Sequence, residues 1–140
     1  ATPEEAITFT AYALPRRHAV WWGHECLRQG PGELSETDHD MLQLAEAWVT
    51  EPSEATRYAA LDAAMEAEAK TAGVWIALGA GWSGGSMVPS DYQPVAPPPF
   101  LTARAVNAGV LSVLARADVK ERQKILSDFV QMAVVIINDG

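Results

Sequence analysis

A single short apolar run, VWIAL at residues 74–78, is the only segment of this chain that could form a β-strand. A lone strand would have no partner for its backbone hydrogen bonds, and the other apolar residues recur at helical spacing. Thr71 can cap a helix containing this run, so we predict a helix over residues 72–82. The predicted fold class is all-α: a compact bundle or array of about seven helices with one long Gly/Ser/Pro-rich loop.

Helix start and stop signals divide the rest of the chain. Thr2-Pro3-Glu4-Glu5 combines an N-cap Thr, a Pro at the first helical position and a Glu three residues after the cap. Thr102 is expected to cap the sixth helix. The other predicted helices are 15–29, one from Ser35 or Thr37 to Thr50, 54–70 and 118 onward. No repeat or linker is visible, so residues 1–140 are predicted to form one domain.

Two of these helices carry patterns that predict their place in the fold. The helix over 54–70 is rich in Ala and Glu and is predicted to be an outer helix. The last helix has a wide apolar stripe, which suits a central position. The side chains of the 54–70 helix that we expect to be solvated are Arg57, Asp62, Glu66 and Glu68.

Charge and cysteine content exclude several classes of protein. The net charge is −8 and the pI is near 4.7, which argues against binding to nucleic acid or an anionic membrane surface. Cys26 is the one cysteine, so neither an internal disulfide nor a multi-cysteine zinc site is expected. We expect its thiol to be buried and inert. No leader or membrane-span pattern is visible, which predicts a cytoplasmic protein, although a leader could already be missing before Ala1.

Residues 79–85 match two catalytic patterns. Gly79, Gly81 and Gly84 spell the dinucleotide fingerprint G-x-G-x-x-G, and Gly81, Ser83 and Gly85 spell the hydrolase elbow G-x-S-x-G. The fingerprint needs a following helix and a later acidic residue, and the elbow needs a later histidine. The sequence has none of these in the required place. We interpret both matches as accidental and predict no catalytic residue and no cofactor.

Possible metal ligands have simpler explanations. Glu36, Asp38 and Asp40 alternate as calcium ligands do, but the Gly and Glu that complete such a loop are missing. Acidic residues in the first turn of the third helix would instead oppose its positive end. No histidine pair has the spacing of a zinc site on one helical face. The histidines, which we expect at the surface or an interface, are His18, His24 and His39.

The segment over residues 83–100 is long for a connection in a helical domain. Its prolines stiffen the backbone, and it carries apolar anchors that a flexible linker would lack. One interpretation is that it straps across the helices and covers the core. The other, which can coexist with the first, is that it docks a protein partner. The partner-binding residues predicted at or beside the loop are Trp82, Met87, Tyr92 and Phe100.

Several stretches together resemble a bacterial family of uncharacterised small proteins associated with type VI secretion loci. They are ALPRRHAVWW at 13–22, AEAWV at 45–49, WSGGSMVP at 82–89 and APPPFLTARAV at 96–106. The resemblance covers nearly the whole chain, and the combination of tryptophans, Gly-Ser and triple proline is fairly specific. The resemblance implies no catalytic residues.

The resemblance implies a non-enzymatic accessory role, as an adaptor or chaperone that helps a secretion effector or spike component to load. An immunity protein that neutralises a toxin is the alternative, because small acidic proteins can bind basic toxins through complementary charge. A small enzyme of unknown reaction is a third class. The expected partner is in each non-enzymatic case another protein, basic if charge steers the encounter.

Overall fold

The computed structural model describes residues 2–139, which form seven α-helices and no β-strand. The predicted all-α fold class is therefore confirmed, and the VWIAL run is helical. In chain order the helices are α1 (Pro3–Ala13), α2 (Arg16–Gln29), α3 (Glu36–Thr50), α4 (Glu54–Glu66), α5 (Ala72–Gly81), α6 (Leu101–Leu114) and α7 (Val119–Asp139).

Side-chain caps set several of the helix starts. The Thr2 hydroxyl accepts a hydrogen bond from the Glu5 backbone N–H, and the Glu5 carboxylate accepts one from Thr2, as the capping box predicts. Ser35 caps α3 through the Asp38 N–H. The prediction for Thr102 is wrong: the N-cap of α6 is Phe100, two residues earlier, and the buried Thr102 hydroxyl donates to the Gly79 carbonyl of α5.

The centre of the fold is α5, which is buried on nearly every side. Nine of its ten residues are buried, and α3, α4, α2 and α6 pack around it. The central position predicted for the last helix is wrong. Only Leu126, Phe129 and Ala133 are buried on α7, which lies against α1 and α2.

Charged side chains from neighbouring helices form hydrogen bonds with backbone groups at both ends of α5. At its N-terminus the Asp38 carboxylate, 2% exposed, accepts hydrogen bonds from the Thr71 hydroxyl and from the Gly73 N–H at 2.9 Å. At its C-terminus the Arg57 guanidinium, also 2% exposed, donates to the Gly81 carbonyl at 2.6 Å. The sign of each charge is opposite to that of the helix end it meets, and the Gly73 N–H and the Gly81 carbonyl that it bonds are buried.

These two contacts correct the sequence-based expectations. Asp38 was expected only to oppose the positive end of its own helix, but its carboxylate serves the start of α5. Arg57 was expected to be solvated, and that prediction is wrong because α4 turns its guanidinium inward. Glu66 and Glu68 are exposed as predicted.

Glycines on α5 allow its neighbours to approach closely. A Cβ atom on Gly81 would lie 2.6 Å from Cβ and 2.8 Å from Cα of Leu61 on α4, and one on Gly79 would lie 3.0 Å from Val106 on α6. Both residues are therefore helix-packing positions. Gly84 lies beyond the helix and has open space around it.

We expect Gly81→Ala to lower the free energy of unfolding by about 1–3 kcal/mol, because the added methyl meets the α4 backbone, which cannot rotate away. Urea denaturation measures the change. Gly84→Ala is the matched control and should change stability by less than about 0.5 kcal/mol. Equal effects of the two substitutions would contradict this account of the glycines.

Candidate protein-binding surface

The connection between α5 and α6, residues 82–100, is held to α4 by the same guanidinium that caps α5. Arg57 donates to the Ser86 carbonyl at 2.7 Å as well as to Gly81, and it forms a two-pronged ion pair with Glu54. This hydrogen bonding lowers the pKa of the Glu54 carboxyl. Gly85, at φ +63°, passes so close to the pair that a Cβ atom would collide with both side chains. The connection is therefore attached where its backbone crosses α4.

A small network inside the connection fixes its shape. The buried Ser86 hydroxyl accepts hydrogen bonds from the N–H groups of Val88 and Val95. The Met87 N–H donates to the Val95 carbonyl at 2.7 Å, and the Trp82 indole donates to the Met87 carbonyl at 3.0 Å. Trp82 and Met87 are half-buried. The network thus engages the Trp82 indole and the Met87 backbone, at two predicted partner-binding positions, in holding the connection itself.

A second attachment lies further along the connection. The Asp62 carboxylate of α4 accepts hydrogen bonds from the backbone N–H and the hydroxyl of Ser90, at 2.9 and 2.6 Å. Asp62, which was expected to be solvated, is half-buried and also holds the connection. Two attachments to one helix support the interpretation of this segment as a strap over the fold.

The other two predicted binding residues are exposed. Tyr92 is 67% exposed and Phe100 is 62% exposed. Phe100 has φ +67°, in the left-handed region that disfavours a bulky side chain, and its ring lies 5.8 Å from the ring of Tyr12 on α1. An exposed aromatic residue on a strained backbone is a reason to look for function at this position.

Helix α1 extends this exposed aromatic surface. Phe9 is 75% exposed and lies one turn before Tyr12 on the same side of the helix. We call Phe9, Tyr12 and Phe100 the aromatic patch. Its α1 members, Phe9 and Tyr12, were not predicted from the sequence, although a signal was present. Ile7, Ala11 and Leu14 form the apolar stripe that faces the core. Phe9 and Tyr12 lie outside this stripe, which predicts that they are exposed.

An open apolar groove of about 780 Å³ runs between α1 and α7 beside Phe9. We call it the α1–α7 groove. Its α1 side extends from Glu5 to Leu14, and its α7 side is formed by Val130, Ala133, Val134 and Ile137. Val134 and Ile137 are nearly half exposed. The wide stripe on α7 is thus only partly covered by the rest of the fold.

The two catalytic patterns lack their structural context. Gly79 and Gly81 lie inside α5, and Ser83 follows that helix directly, so neither pattern stands between a strand and a helix. Cys26 is fully buried, and burial raises the pKa of its thiol well above the ordinary value.

The possible metal ligands are dispersed. Within residues 2–139, no three His, Cys, Asp or Glu side chains come together as a metal site would need. His39 is exposed and His18 half-buried, whereas His24 is buried, stacked on Trp21 at 4.5 Å and hydrogen-bonded to Glu25. Arg28 donates to the same carboxylate and lowers its pKa. Across residues 2–139, no helix has both the length and the apolar character needed to cross a membrane.

Comparison of the sequence with known protein families finds one match. Residues 1–137 match a family described as "Family of unknown function (DUF6931)". The chain belongs to the DUF6931 family. The match extends over residues 1–137, so membership of this DUF6931 protein in an uncharacterised family, as the resemblance implied, is confirmed. Searches of curated proteins and of solved structures found no match.

Arg57→Met should lower the free energy of unfolding of this DUF6931 protein by about 2–4 kcal/mol. The substitution leaves two carbonyls without their donor, at Gly81 and Ser86. Chemical denaturation followed by tryptophan fluorescence measures the loss. Glu54→Gln is the control, because the Glu54 side chain is largely exposed and should contribute less than about 1 kcal/mol. A loss no greater than that of the control would show that Arg57 does not hold the connection.

Phe100→Gly should be more stable than Phe100→Ala by about 0.5–1 kcal/mol. Both variants lose the ring, but only Gly adopts the left-handed backbone without steric cost. Thermal denaturation of the two variants side by side gives the difference. If Ala proves as stable as Gly, the φ value at this position carries no strain.

Proposed function

We propose that this protein is a non-enzymatic accessory protein that binds another protein through the aromatic patch and the adjoining α1–α7 groove. The observation that carries the proposal is the exposure of Phe9, at 75%, next to an open groove with apolar walls. Large exposed apolar surfaces on a soluble domain are typical of interaction sites. Aromatic residues are also enriched among those that dominate binding energy.

The connection over 82–100 supports the proposal by presenting residues on a fixed backbone. Its attachments to Arg57 and Asp62 hold it in place before any partner arrives. A surface that is already ordered loses little entropy on binding. Phe100 contributes directly to the aromatic patch, and Tyr92 is a further contact if the partner extends along the connection. Trp82 and Met87 act by shaping the segment.

The biological setting we propose is a bacterial secretion system of type VI, with the protein serving as adaptor or chaperone for an effector or spike component. It rests on the resemblance of the tryptophan, Gly-Ser and triple-proline stretches to a family associated with such loci. The alternative is an immunity protein for a neighbouring toxin. The net charge of −8 favours it, because charge complementarity speeds the capture of a basic protein.

The adaptor role predicts that the tagged protein, expressed in its native host, co-purifies with a secretion effector or spike component. Phe9→Ala and Phe100→Ala should each reduce the recovered partner at least fivefold, because each removes an exposed ring worth about 1 kcal/mol or more. Quantitative mass spectrometry of the purified complexes measures recovery. Circular dichroism checks that the variants remain folded, as expected for side chains that lie outside the core.

Val119→Ala is the matched control, because Val119 is 77% exposed but lies outside the patch and the groove. It should leave recovery unchanged. Undiminished recovery with both aromatic variants would exclude the patch as the binding site. Protection of cells from an adjacent toxin, without capture of any secretion component, would instead support the immunity role.

A further inference from the structure

The two halves of the connection between α5 and α6 differ in burial. Residues 82–89 are buried or half-buried except for Gly85. In residues 93–98, which we call the proline segment, Pro97 is half-buried and the other five residues are exposed. The proline segment contains three prolines and is followed by a fourth, Pro99. Because the segment covers little of the core, packing does not explain this composition.

The prolines restrict the backbone of the proline segment. A proline holds φ at about −65°, and the residue before a proline is restricted to extended or polyproline II conformations. Each residue of the segment except Val95 is a proline or precedes one. Val95 is held by hydrogen bonds of its N–H to Ser86 and of its carbonyl to Met87. The proline segment is thus restrained to an extended, polyproline II-like backbone before any partner binds.

The proline segment presents hydrogen-bond acceptors and apolar side chains to solvent. Among residues 2–139, no donor bonds to the carbonyls of its residues other than Val95. Polyproline II has about three residues per turn, so Val95 and Pro98 lie on one edge, while the half-buried Pro97 lies on another. Val95 is 47% exposed, and Pro98 is exposed as well. The edge formed by Val95 and Pro98 is therefore accessible to another protein.

The backbone chemistry of the segment selects one of the ways in which proteins bind peptides. Addition to the edge of a β-sheet needs regular N–H donors, and Pro94, Pro97 and Pro98 have none. The same prolines exclude a helix that would lie in a groove of the partner. The remaining mode is docking into a groove lined by aromatic side chains. A backbone that is already stiff loses little entropy on binding in this way.

We propose that the proline segment is a docking site for a partner protein with an aromatic-lined groove that binds polyproline II. The edge formed by Val95 and Pro98 enters the groove, and the unpaired carbonyls accept hydrogen bonds from its donors. Tyr92 and Phe100, 67% and 62% exposed, extend the contact at the two ends. This inference goes beyond the proposed function, because the segment lies outside the aromatic patch and the α1–α7 groove.

The probe for the test is the synthetic peptide QPVAPPPF, which copies residues 93–100. Proteins from the native host are captured on the immobilised full-length protein and eluted with the peptide at about 1 mM. Quantitative mass spectrometry should show release of a partner protein that the same peptide with Ala at all four prolines releases at least about fivefold less efficiently. The peptide carrying a benzophenone at its N-terminus should cross-link to that partner beside Trp, Tyr or Phe residues.

Variants of the full-length protein locate the contact. Pro98→Ala should reduce recovery of the same partner by about threefold or more, because it removes an exposed ring and loosens the backbone. Pro52→Ala is the matched control, because Pro52 is an exposed proline between α3 and α4, outside the connection. It should leave recovery unchanged. Circular dichroism checks that both variants remain folded.

Each contrary outcome overturns a defined part of the proposal. Equal release by the proline and alanine peptides excludes recognition of polyproline II. Failure of the peptide to release any protein, or full recovery with Pro98→Ala, rejects the segment as a docking site. Cross-links at a surface without aromatic side chains exclude the aromatic groove. The proposed function fails separately: loss of the partner with Phe9→Ala but not with Pro98→Ala supports the aromatic patch and rejects the proline segment.

Discussion

Burial of α5 is the constraint on which the rest of the structure depends. A helix surrounded by other helices cannot expose its terminal N–H and C=O groups to water, so both ends need partners from elsewhere in the fold. Asp38 supplies the acceptor at the start, and Arg57 supplies the donor at the end. Two buried charges are tolerated because each one meets the helix end of opposite sign and makes several hydrogen bonds.

Arg57 also couples this central helix to the surface. The guanidinium that satisfies Gly81 reaches Ser86 as well, so the end of α5 and the path of the following connection are fixed by one side chain. The connection then leads to Phe100, which enters α6 in a left-handed conformation and places its ring beside Tyr12. One member of the aromatic patch, Phe100, thus stands at the end of a connection whose first part is fixed by a polar contact inside the fold.

The apolar residues of α1 and α7 exceed what the core can use. Inside the fold, α5 occupies the centre, and because its glycines have no side chain, α4 and α6 approach it closely. Helix α7 packs at the edge, where Leu126, Phe129 and Ala133 satisfy its inner side and Val134 and Ile137 stay partly in water. Together with Phe9, these residues give the protein an exposed apolar surface, which favours protein binding.

The sequence by itself determined the fold class and most helix boundaries to within a few residues, because periodicity, caps and prolines act over a few neighbouring residues. Helix α4 ends at Glu66, four residues before the end predicted for it at residue 70. Only the tertiary structure decided that Asp38 and Arg57 are buried, that α5 lies at the centre in place of α7, and that Phe9 and Tyr12 join Phe100. Those outcomes depend on contacts between residues distant in the chain, and local pattern carries no information about which helix ends meet which side chains.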